Sequence, residues 1–124
     1  MQHPSRPTEP RQELVDLAAG LVPALADTYL RLKAADPEST LVVRDLASKP
    51  LPHIGSDYSA GIYTPPEQRN PRQTEVVGVS DEVVDELFAA DTVIIATGLI
   101  NFSISSTLKS WIDHVARAGR TYQE

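Results

Sequence analysis

The 124-residue chain contains no cysteine, which excludes disulfides, thiol catalysis and thiolate metal sites. It also lacks a dense basic cluster, and its formal net charge of −6 argues against a nucleic-acid-binding face. No apolar run approaches the roughly 20 residues that a membrane helix needs, and no signal-peptide pattern opens the chain. We therefore expect a cytoplasmic protein that binds neither nucleic acid nor membrane. With no repeat or low-complexity tract, the residues 1–124 are expected to form one domain.

A predicted strand leads directly into a predicted helix in the last third of the chain. The run 92–96 is apolar on both faces and rich in β-branched residues, which is typical of a strand covered by helices on both sides. Between 107 and 118, apolar residues recur at helical spacing, and these are Leu108, Trp111, Ile112 and Val115. The chain therefore changes from strand to helix between these two segments.

The loop 98–105 joins these two elements and is the best candidate for a binding site. Ser105 or Ser106 can cap the start of the helix by accepting backbone N–H groups, and Gly119 suits a left-handed residue at its end. Ligands of open parallel sheets bind outside the carboxyl ends of strands. The position of this loop therefore predicts a cofactor site.

Three short motifs in this region occur in a characteristic order and spacing. They are Asn-Phe at 101–102, Leu-Lys at 108–109 and Val-Ala-Arg-Ala-Gly at 115–119, with Arg-Asp-Leu-Ala upstream at 44–47. Together they resemble the FMN-dependent NADH-azoreductase family, which belongs to the flavodoxin-like quinone reductases. The resemblance implies an α/β fold, a flavodoxin-like three-layer sandwich built on a parallel sheet.

The same resemblance implies a flavin site. In the family, the loop after the third strand lies along the flavin ring, so four residues are expected to bind FMN: Leu99, Ile100, Asn101 and Phe102. Asn101 would hydrogen-bond the flavin edge and Phe102 would shape the ring pocket. The family often has Pro-Met-Tyr where this chain has 98–100, so an aromatic hydroxyl is lost there. NADH would be the electron donor and a quinone or azo compound the acceptor, in a homodimer.

The first strand and the last two strands of the family's sheet are expected to be missing, so that 1–124 is a partial domain. The segment 1–10 has three prolines and no apolar run, so neither the first strand nor the phosphate-binding loop is recognised there. The chain stops just past the helix, before any fourth or fifth strand. In the order 2-1-3-4-5, the first strand separates the second from the third. Its loss would force 40–45 and 92–97 to pair directly or to leave backbone groups unpaired.

The rest of the chain is predicted to alternate helices with a long connection. Helices are expected at 9–20, 24–35 and 74–90, with Pro23 separating the first two and Ser80 a candidate second cap that would divide the third. Five of the ten prolines lie between 48 and 72, where no periodicity lasts a full helix. That stretch is interpreted as a long exposed connection, which is either a variable surface loop or, as the resemblance implies, a segment near the dimer partner and the substrate opening.

Other polar residues give weaker signals. His3, His53 and His114 lack metal-ligand spacing and are interpreted as surface or supporting residues, so no metal site is assigned. The serines of the loop have no neighbouring His and acid, and no catalytic side chain is assigned. A solvated helix face is predicted for four carboxylates, which are Asp81, Glu82, Asp85 and Glu86.

Three functional hypotheses follow. The first is an FMN-dependent oxidoreductase that passes electrons from NADH to quinones or azo compounds, with the cofactor carrying the chemistry. The second is a non-catalytic remnant of that family that cannot hold FMN. The third is a flavodoxin-like electron carrier, which would bind FMN without oxidising NADH.

Overall fold

The computed structural model describes the backbone of residues 12–17 and 22–123 and the side chains of 27–123. The strands are β1 Gln12–Leu17, β2 Thr40–Asp45 and β3 Thr92–Ala96. The helices are α1 Val22–Ala35, α2 Ser56–Tyr63, α3 Pro71–Ala89 and α4 Ser106–Val115, with a 3₁₀ turn at Pro66–Gln68. Within the described ranges, none of the helices is both long and apolar enough to cross a bilayer.

The three strands form one parallel sheet in the order β2-β1-β3. Leu14 in β1 lies opposite Val42 on one side and Val93 on the other. From β1 the chain crosses to β2 at one edge of the sheet, and from β2 it returns past β1 to β3 at the other edge. Because such crossovers are right-handed, α1 and α3 lie on opposite faces of the sheet. The expected flavodoxin-like three-layer arrangement is confirmed.

The expected absence of the first strand is wrong, and so is the predicted helix at 9–20. Gln12–Leu17 is a strand and fills the gap between β2 and β3, so these two strands do not pair with each other. The physical reason is tertiary: a strand at this position satisfies backbone groups of two neighbours, and this outweighs a local helical pattern. The remaining parts of the predicted helix, 9–11 and 18–20, lie outside the described residues.

The main core lies between the sheet and the helices α3 and α4. It is formed by buried side chains from the strand ends and the two helices: Leu46, Val83, Ala90, Leu108, Trp111 and Val115. Val42 and Val93 pack against this cluster from the sheet, while Leu41, Ile94 and Ala96 form a second apolar group. The strand periodicity of two accounts for this separation, since consecutive side chains point to opposite faces.

The segment 48–72 is more ordered than the sequence predicts, because it contains α2 and the 3₁₀ turn. The helix is short, and Gly61 lies within it. Gly61 faces α3 at close range, where an added Cβ would lie 2.9 Å from Cγ2 of Val77. Packing against α3 therefore stabilises a helix too short to be recognised from its periodicity.

The long helix α3 begins three residues earlier than predicted and is not divided at Ser80. Asn70 caps it by accepting the N–H of Gln73 at 2.8 Å, and Oε1 of Gln73 accepts the N–H of Asn70 at 3.0 Å. Pro71 suits the first helical position because it needs no N–H partner. Ser80 is fully buried and bonds outside its own helix, so it does not act as a second cap.

The acidic face of α3 is paired rather than simply solvated. Arg44 of β2 donates through Nε to Glu86 at 2.7 Å and through Nη2 to both Glu86 and Glu82. These hydrogen bonds to Glu86 raise the pKa of Arg44 above its ordinary value. Further along, Arg120 bonds Asp81 at 3.3 Å and Asp85 at 2.8 Å. The carboxylates therefore tie α3 to β2 and to the segment after α4.

Candidate flavin-binding loop

The predicted site residues lie on the loop 97–105, which connects β3 to α4 at the carboxyl end of the parallel sheet. At its start, Oγ1 of Thr97 donates to the carbonyl of Gly98 at 3.0 Å. At its end, the Oγ of Ser105 accepts the N–H of Leu108 at 3.3 Å and caps α4. The predicted cap is thus confirmed at Ser105, and both ends of the loop are fixed by regular elements.

The centre of the loop is a tight turn. The N–H of Ile100 donates to the carbonyl of Ser103 at 2.7 Å, and the N–H of Ser103 donates to the carbonyl of Ile100 at 2.9 Å. Between them, Asn101 has φ +48° and Phe102 has φ +66°. Two consecutive left-handed residues are typical of a type I′ turn.

A left-handed phenylalanine is unusual. Asparagine tolerates this region because its short polar side chain can bond locally, whereas a bulky residue is strained there. Such strain persists only where the surrounding structure holds it, and it is often found at binding sites. The two backbone bonds between Ile100 and Ser103 provide that restraint.

The turn exposes a concentrated apolar surface. Phe102 is 97% exposed, Leu99 74% and Ile100 47%. Apolar side chains exposed together mark binding surfaces more often than isolated ones do. The turn also leaves polar groups free: the amide N–H groups of Asn101 and Phe102 donate to no acceptor within the described part of the chain. The turn therefore presents apolar side chains and backbone donors side by side.

The structure brings the four predicted residues together on this one turn. Leu99, Ile100, Asn101 and Phe102 are all exposed, and none contributes to the core. Their role in binding FMN stays a prediction, because it concerns a contact with a ligand. The predicted inward stripe of α4 holds for Leu108, Trp111 and Val115, whereas Ile112 is 37% exposed. The helix ends at Val115, and Gly119, with φ +78°, lies in the following turn.

A second loop reaches the same end of the sheet, and most of it lies in the stretch 48–72, which only the resemblance placed near the substrate opening. The segment 46–55 follows β2, and it is attached to α4 by two histidines. His53 Nδ1 lies 3.0 Å from Oγ of Ser110, and His114 Nε2 lies 2.8 Å from the carbonyl oxygen of Pro52. The predicted parallel sheet indicates that this loop lies near the site, because the carboxyl ends of parallel strands all lie at the same end of the sheet.

His114 is a core residue rather than a surface one. It is almost fully buried, and its ring packs edge-on against Tyr58 with centroids 5.5 Å apart. No group of three or more possible ligands for a metal ion occurs among the residues that the structure describes. His53 and His114 thus connect elements of the fold, whereas His3 lies outside the described residues.

The carboxylate at the end of β2 has a shifted pKa. The hydroxyl and amide of Ser48 and the amide of Ala47 bond Asp45 and lower the pKa of its carboxyl. The N–H groups of Ala47 and Ser48 reach its Oδ1 at 3.0 and 3.2 Å. The carboxylate thus organises the turn that begins the loop 46–55.

Comparison with known proteins agrees with this architecture. A segment of 92 residues is 73% identical to an FMN-dependent NADH:quinone oxidoreductase of Mesorhizobium japonicum and covers 74% of this chain but 44% of that protein. A protein of the same name from Rhizobium johnstonii is 52% identical over 82% of this chain and 50% of its own length. The chain thus spans about half the length of the curated relatives it matches.

A solved structure extends the likeness to three dimensions. The azoreductase from Bacillus anthracis superposes with a TM-score of 0.79 at 25% identity, over 92% of this chain and 59% of that one. In addition, a family profile described as a flavodoxin-like fold matches residues 19–124. The profile match covers most of the chain and includes β2, β3 and the loop between β3 and α4. The chain therefore belongs to the family with the flavodoxin-like fold.

Proposed function

We propose that this chain carries the flavin-ring-binding part of an FMN-dependent oxidoreductase that transfers electrons from NADH to quinones or azo compounds. The observation that carries this proposal is the left-handed turn at Asn101 and Phe102, held at the carboxyl end of β3. Two relatives that are 73% and 52% identical to this chain over the matched segments are named FMN-dependent NADH:quinone oxidoreductases, and the superposed structure is named an azoreductase.

The chemistry of the turn fits an isoalloxazine ring. A flavin ring has wide apolar faces and a polar edge of nitrogen and oxygen atoms. Leu99, Ile100 and Phe102 offer exposed apolar surface to a ring face, while the free amides of Asn101 and Phe102 offer donors to the edge. Small-molecule sites combine these features, with apolar contacts for affinity and a few polar groups for orientation.

When bound, FMN would supply the redox chemistry, so the chain itself needs no nucleophile. The turn would hold the ring in one orientation, and its apolar side chains would exclude water from the ring face. Asn101 would also offer its side-chain amide to the edge of the flavin. We further propose that the protein acts as a homodimer, as its resemblance to the azoreductases implies, and that it acts in the cytoplasm, as its composition predicts.

One observation favours a second candidate, a remnant that does not retain FMN. The residues 18–21, between β1 and α1, are Ala-Ala-Gly-Leu and include no hydroxyl or basic side chain. The side chains of 18–21 could therefore donate no hydrogen bond to a phosphate. Binding of the flavin ring and binding of the FMN phosphate are therefore separate requirements for retaining the cofactor, and one experiment can distinguish them.

The decisive experiment is titration of the purified full chain with FMN, followed by flavin fluorescence and by calorimetry. We expect saturable binding that weakens about tenfold in Leu99→Gln, because apolar contact with the ring is lost. Leu30→Gln is the matched control, since Leu30 is also an exposed leucine but lies on α1. It should bind FMN as the unmodified chain does.

Each outcome selects one candidate. Bound FMN with NADH-dependent quinone reduction supports the oxidoreductase, and bound FMN without NADH oxidation identifies an electron carrier. A chain that is folded but shows no saturable FMN binding is the remnant. Equal weakening in Leu99→Gln and Leu30→Gln would contradict the assignment of the turn as the ring site.

A further inference from the structure

Three consecutive residues of the loop 46–55 are attached to other parts of the fold. Leu51 packs against the main core cluster, and the next two residues, Pro52 and His53, each bond a side chain of α4. The loop follows β2 and α4 follows β3, and these strands lie on either side of β1 in the described sheet. The loop therefore extends from one side of this sheet to the helix that follows the strand on the other side.

The two bonds from the loop to α4 differ in their exposure to water. His53 is exposed, so its Nδ1 can exchange the hydroxyl of Ser110 for a water molecule. The ring of His114 is buried, and its Nε2 lies 2.8 Å from the carbonyl oxygen of Pro52. Separation of the loop would leave this buried nitrogen without a partner, which is unfavourable. The His114 bond therefore holds the loop more firmly than the His53 bond.

The partner of His114 also fixes which ring nitrogen carries the proton. A carbonyl oxygen only accepts hydrogen bonds, so Nε2 donates to Pro52. Nδ1 is buried and has no hydrogen-bond partner among the residues that the structure describes. A proton on Nδ1 would be a buried donor without an acceptor, so the Nε2–H tautomer fits both ring nitrogens. The ring is further oriented by Tyr58, which packs edge-on against it with centroids 5.5 Å apart.

We propose that His114 is a positioning residue of the proposed flavin site, because its Nε2–H group holds the loop 46–55 as a wall beside the turn 99–102. The helix α4 connects the two parts, since it begins where the loop with this turn ends and bonds Pro52 further along. Both loops leave the carboxyl ends of parallel strands, where ligands of such sheets bind.

The held loop acts on the electron acceptor rather than on FMN. The turn 99–102 offers the contacts to the flavin ring, whereas the loop 46–55 limits how a quinone or azo compound approaches the ring. Electron transfer requires the acceptor in a productive orientation, and a loosely held wall allows several orientations. Loss of the His114 bond should therefore raise the KM for the acceptor and leave FMN binding unchanged. This effect on KM rests on the proposed function, whereas the attachment of the loop does not.

The first test measures the bond itself. Nitrogen NMR of the unmodified full chain distinguishes the two ring nitrogens, and we expect the proton of His114 on Nε2. Hydrogen exchange then compares His114→Leu, which cannot donate, with His114→Gln, whose side-chain amide donates in place of Nε2. Relative to the amides of β3, those of Leu51 and His53 should exchange about fivefold faster in His114→Leu, because one hydrogen bond is lost. In His114→Gln they should stay within about twofold of the unmodified chain.

The second test measures NADH-dependent quinone reduction by the same variants in the presence of FMN. We expect His114→Leu to raise the KM for the quinone about fivefold with an unchanged Kd for FMN, and His114→Gln to restore the KM. Circular dichroism establishes that the variants are folded. His114→Asn, whose shorter amide does not reach Pro52, replaces His114→Leu if the leucine variant does not fold.

Three results would overturn the proposal: a proton on Nδ1 of His114, equal exchange rates in the leucine and glutamine variants, or an unchanged KM in an active His114→Leu. If the unmodified chain binds no FMN, the proposed function fails. In that case the position of the proton and the exchange rates still decide whether His114 holds the loop 46–55.

Discussion

Asn101 and Phe102 have the backbone conformation that local sequence explains least. A resemblance to azoreductases indicates both residues, and asparagine is common in left-handed conformations. Nothing in the neighbouring sequence predicts a left-handed phenylalanine, which costs roughly 1 kcal/mol or more. The conformation is held by the two backbone bonds between Ile100 and Ser103, in a loop that connects β3 to α4.

Replacing Phe102 tests this strain directly. Both Phe102→Ala and Phe102→Gly remove the ring, but only glycine adopts φ +66° without a steric penalty. We expect Phe102→Gly to be more stable than Phe102→Ala by about 0.5–1 kcal/mol in urea denaturation, and both to bind FMN more weakly than the unmodified chain. If alanine were as stable as glycine here, the backbone would not be left-handed in solution.

Asp45 gives a prediction for acid stability. Its pKa is lowered by Ser48 and Ala47 in the folded chain, so the unfolded state binds the proton more tightly. The contribution of Asp45 to stability is therefore complete above its ordinary value of 3.8 and is lost as the pH falls through the lowered pKa. Asp45→Asn should flatten the decrease in unfolding free energy between about pH 5 and pH 2.

Ser48→Ala provides the companion measurement to Asp45→Asn. It removes the hydroxyl that lowers the Asp45 pKa most and keeps the two backbone donors. Denaturation at several pH values measures how the unfolding free energy of Ser48→Ala falls in acid. This decrease should lie between those of the unmodified chain and Asp45→Asn. An acid slope in Asp45→Asn that matches the unmodified chain would contradict the assigned role of this carboxylate.

At the scale of elements, long periodic segments are predictable and short ones are not. The helix predicted at 74–90 is α3 within a few residues, and the predicted strands at 40–45 and 92–97 are β2 and β3. α2 has eight residues, too few for a periodic pattern to be distinct from a loop. Its stability comes from contact with α3, which is a tertiary property.

The contact between α2 and α3 can be tested with two glycines. Gly61→Ala should lower the free energy of unfolding by about 1–3 kcal/mol, because the new Cβ would crowd Val77, which is buried and stiff. Gly78→Ala is the control on α3, where an added Cβ meets nothing within 4 Å. There we expect a gain of about 0.5–1 kcal/mol from helix propensity.

Thermal or urea denaturation of the two glycine variants measures both effects. Opposite signs of the change in unfolding free energy would establish that the two variants differ because of packing between the helices, and not because helices in general prefer alanine. A stabilising Gly61→Ala would show that α2 is farther from α3 than the 2.9 Å separation implies.

At the scale of the whole molecule, buried polar residues connect segments that are distant in sequence. Ser80 of α3 donates to the carbonyl of His114 at 2.6 Å and accepts from Nη1 of Arg117 at 2.8 Å. Arg117 also bonds Asp81 at 2.9 Å. This group fixes α3 against the end of α4, and α4 in turn begins at the proposed flavin-binding loop.

Ser80→Ala should therefore affect the whole domain. We expect a loss of about 1–3 kcal/mol in unfolding free energy, because three buried or half-buried partners, including the hydroxyl of Tyr58 at 3.5 Å, lose a hydrogen bond. Ser110→Ala is the matched control, a buried helical serine whose partner His53 is exposed and can bond water instead. Ser110→Ala should lower the free energy of unfolding by less than about 1 kcal/mol, with both variants measured by urea denaturation. Equal losses would mean that Ser80 has no special connecting role.

The sequence alone determined the elements with strong local signals. Apolar runs indicated β2 and β3, helical periodicity indicated α3 and most of α4, and the hydroxyl of Ser105 indicated the helix start. Each of these depends on neighbouring residues within one element. The resemblance that rests on the order and spacing of short motifs also implied the four proposed flavin contacts, which are Leu99, Ile100, Asn101 and Phe102.

Tertiary structure decided the rest. Gln12–Leu17 is a strand because β2 and β3 offer it hydrogen bonds on both sides, although its own sequence also suits a helix. The left-handed turn, the burial of His114 and the position of α2 likewise depend on partners far along the chain. Local sequence fixes which conformations are favourable for a segment, and long-range contacts choose among them when the local differences are small.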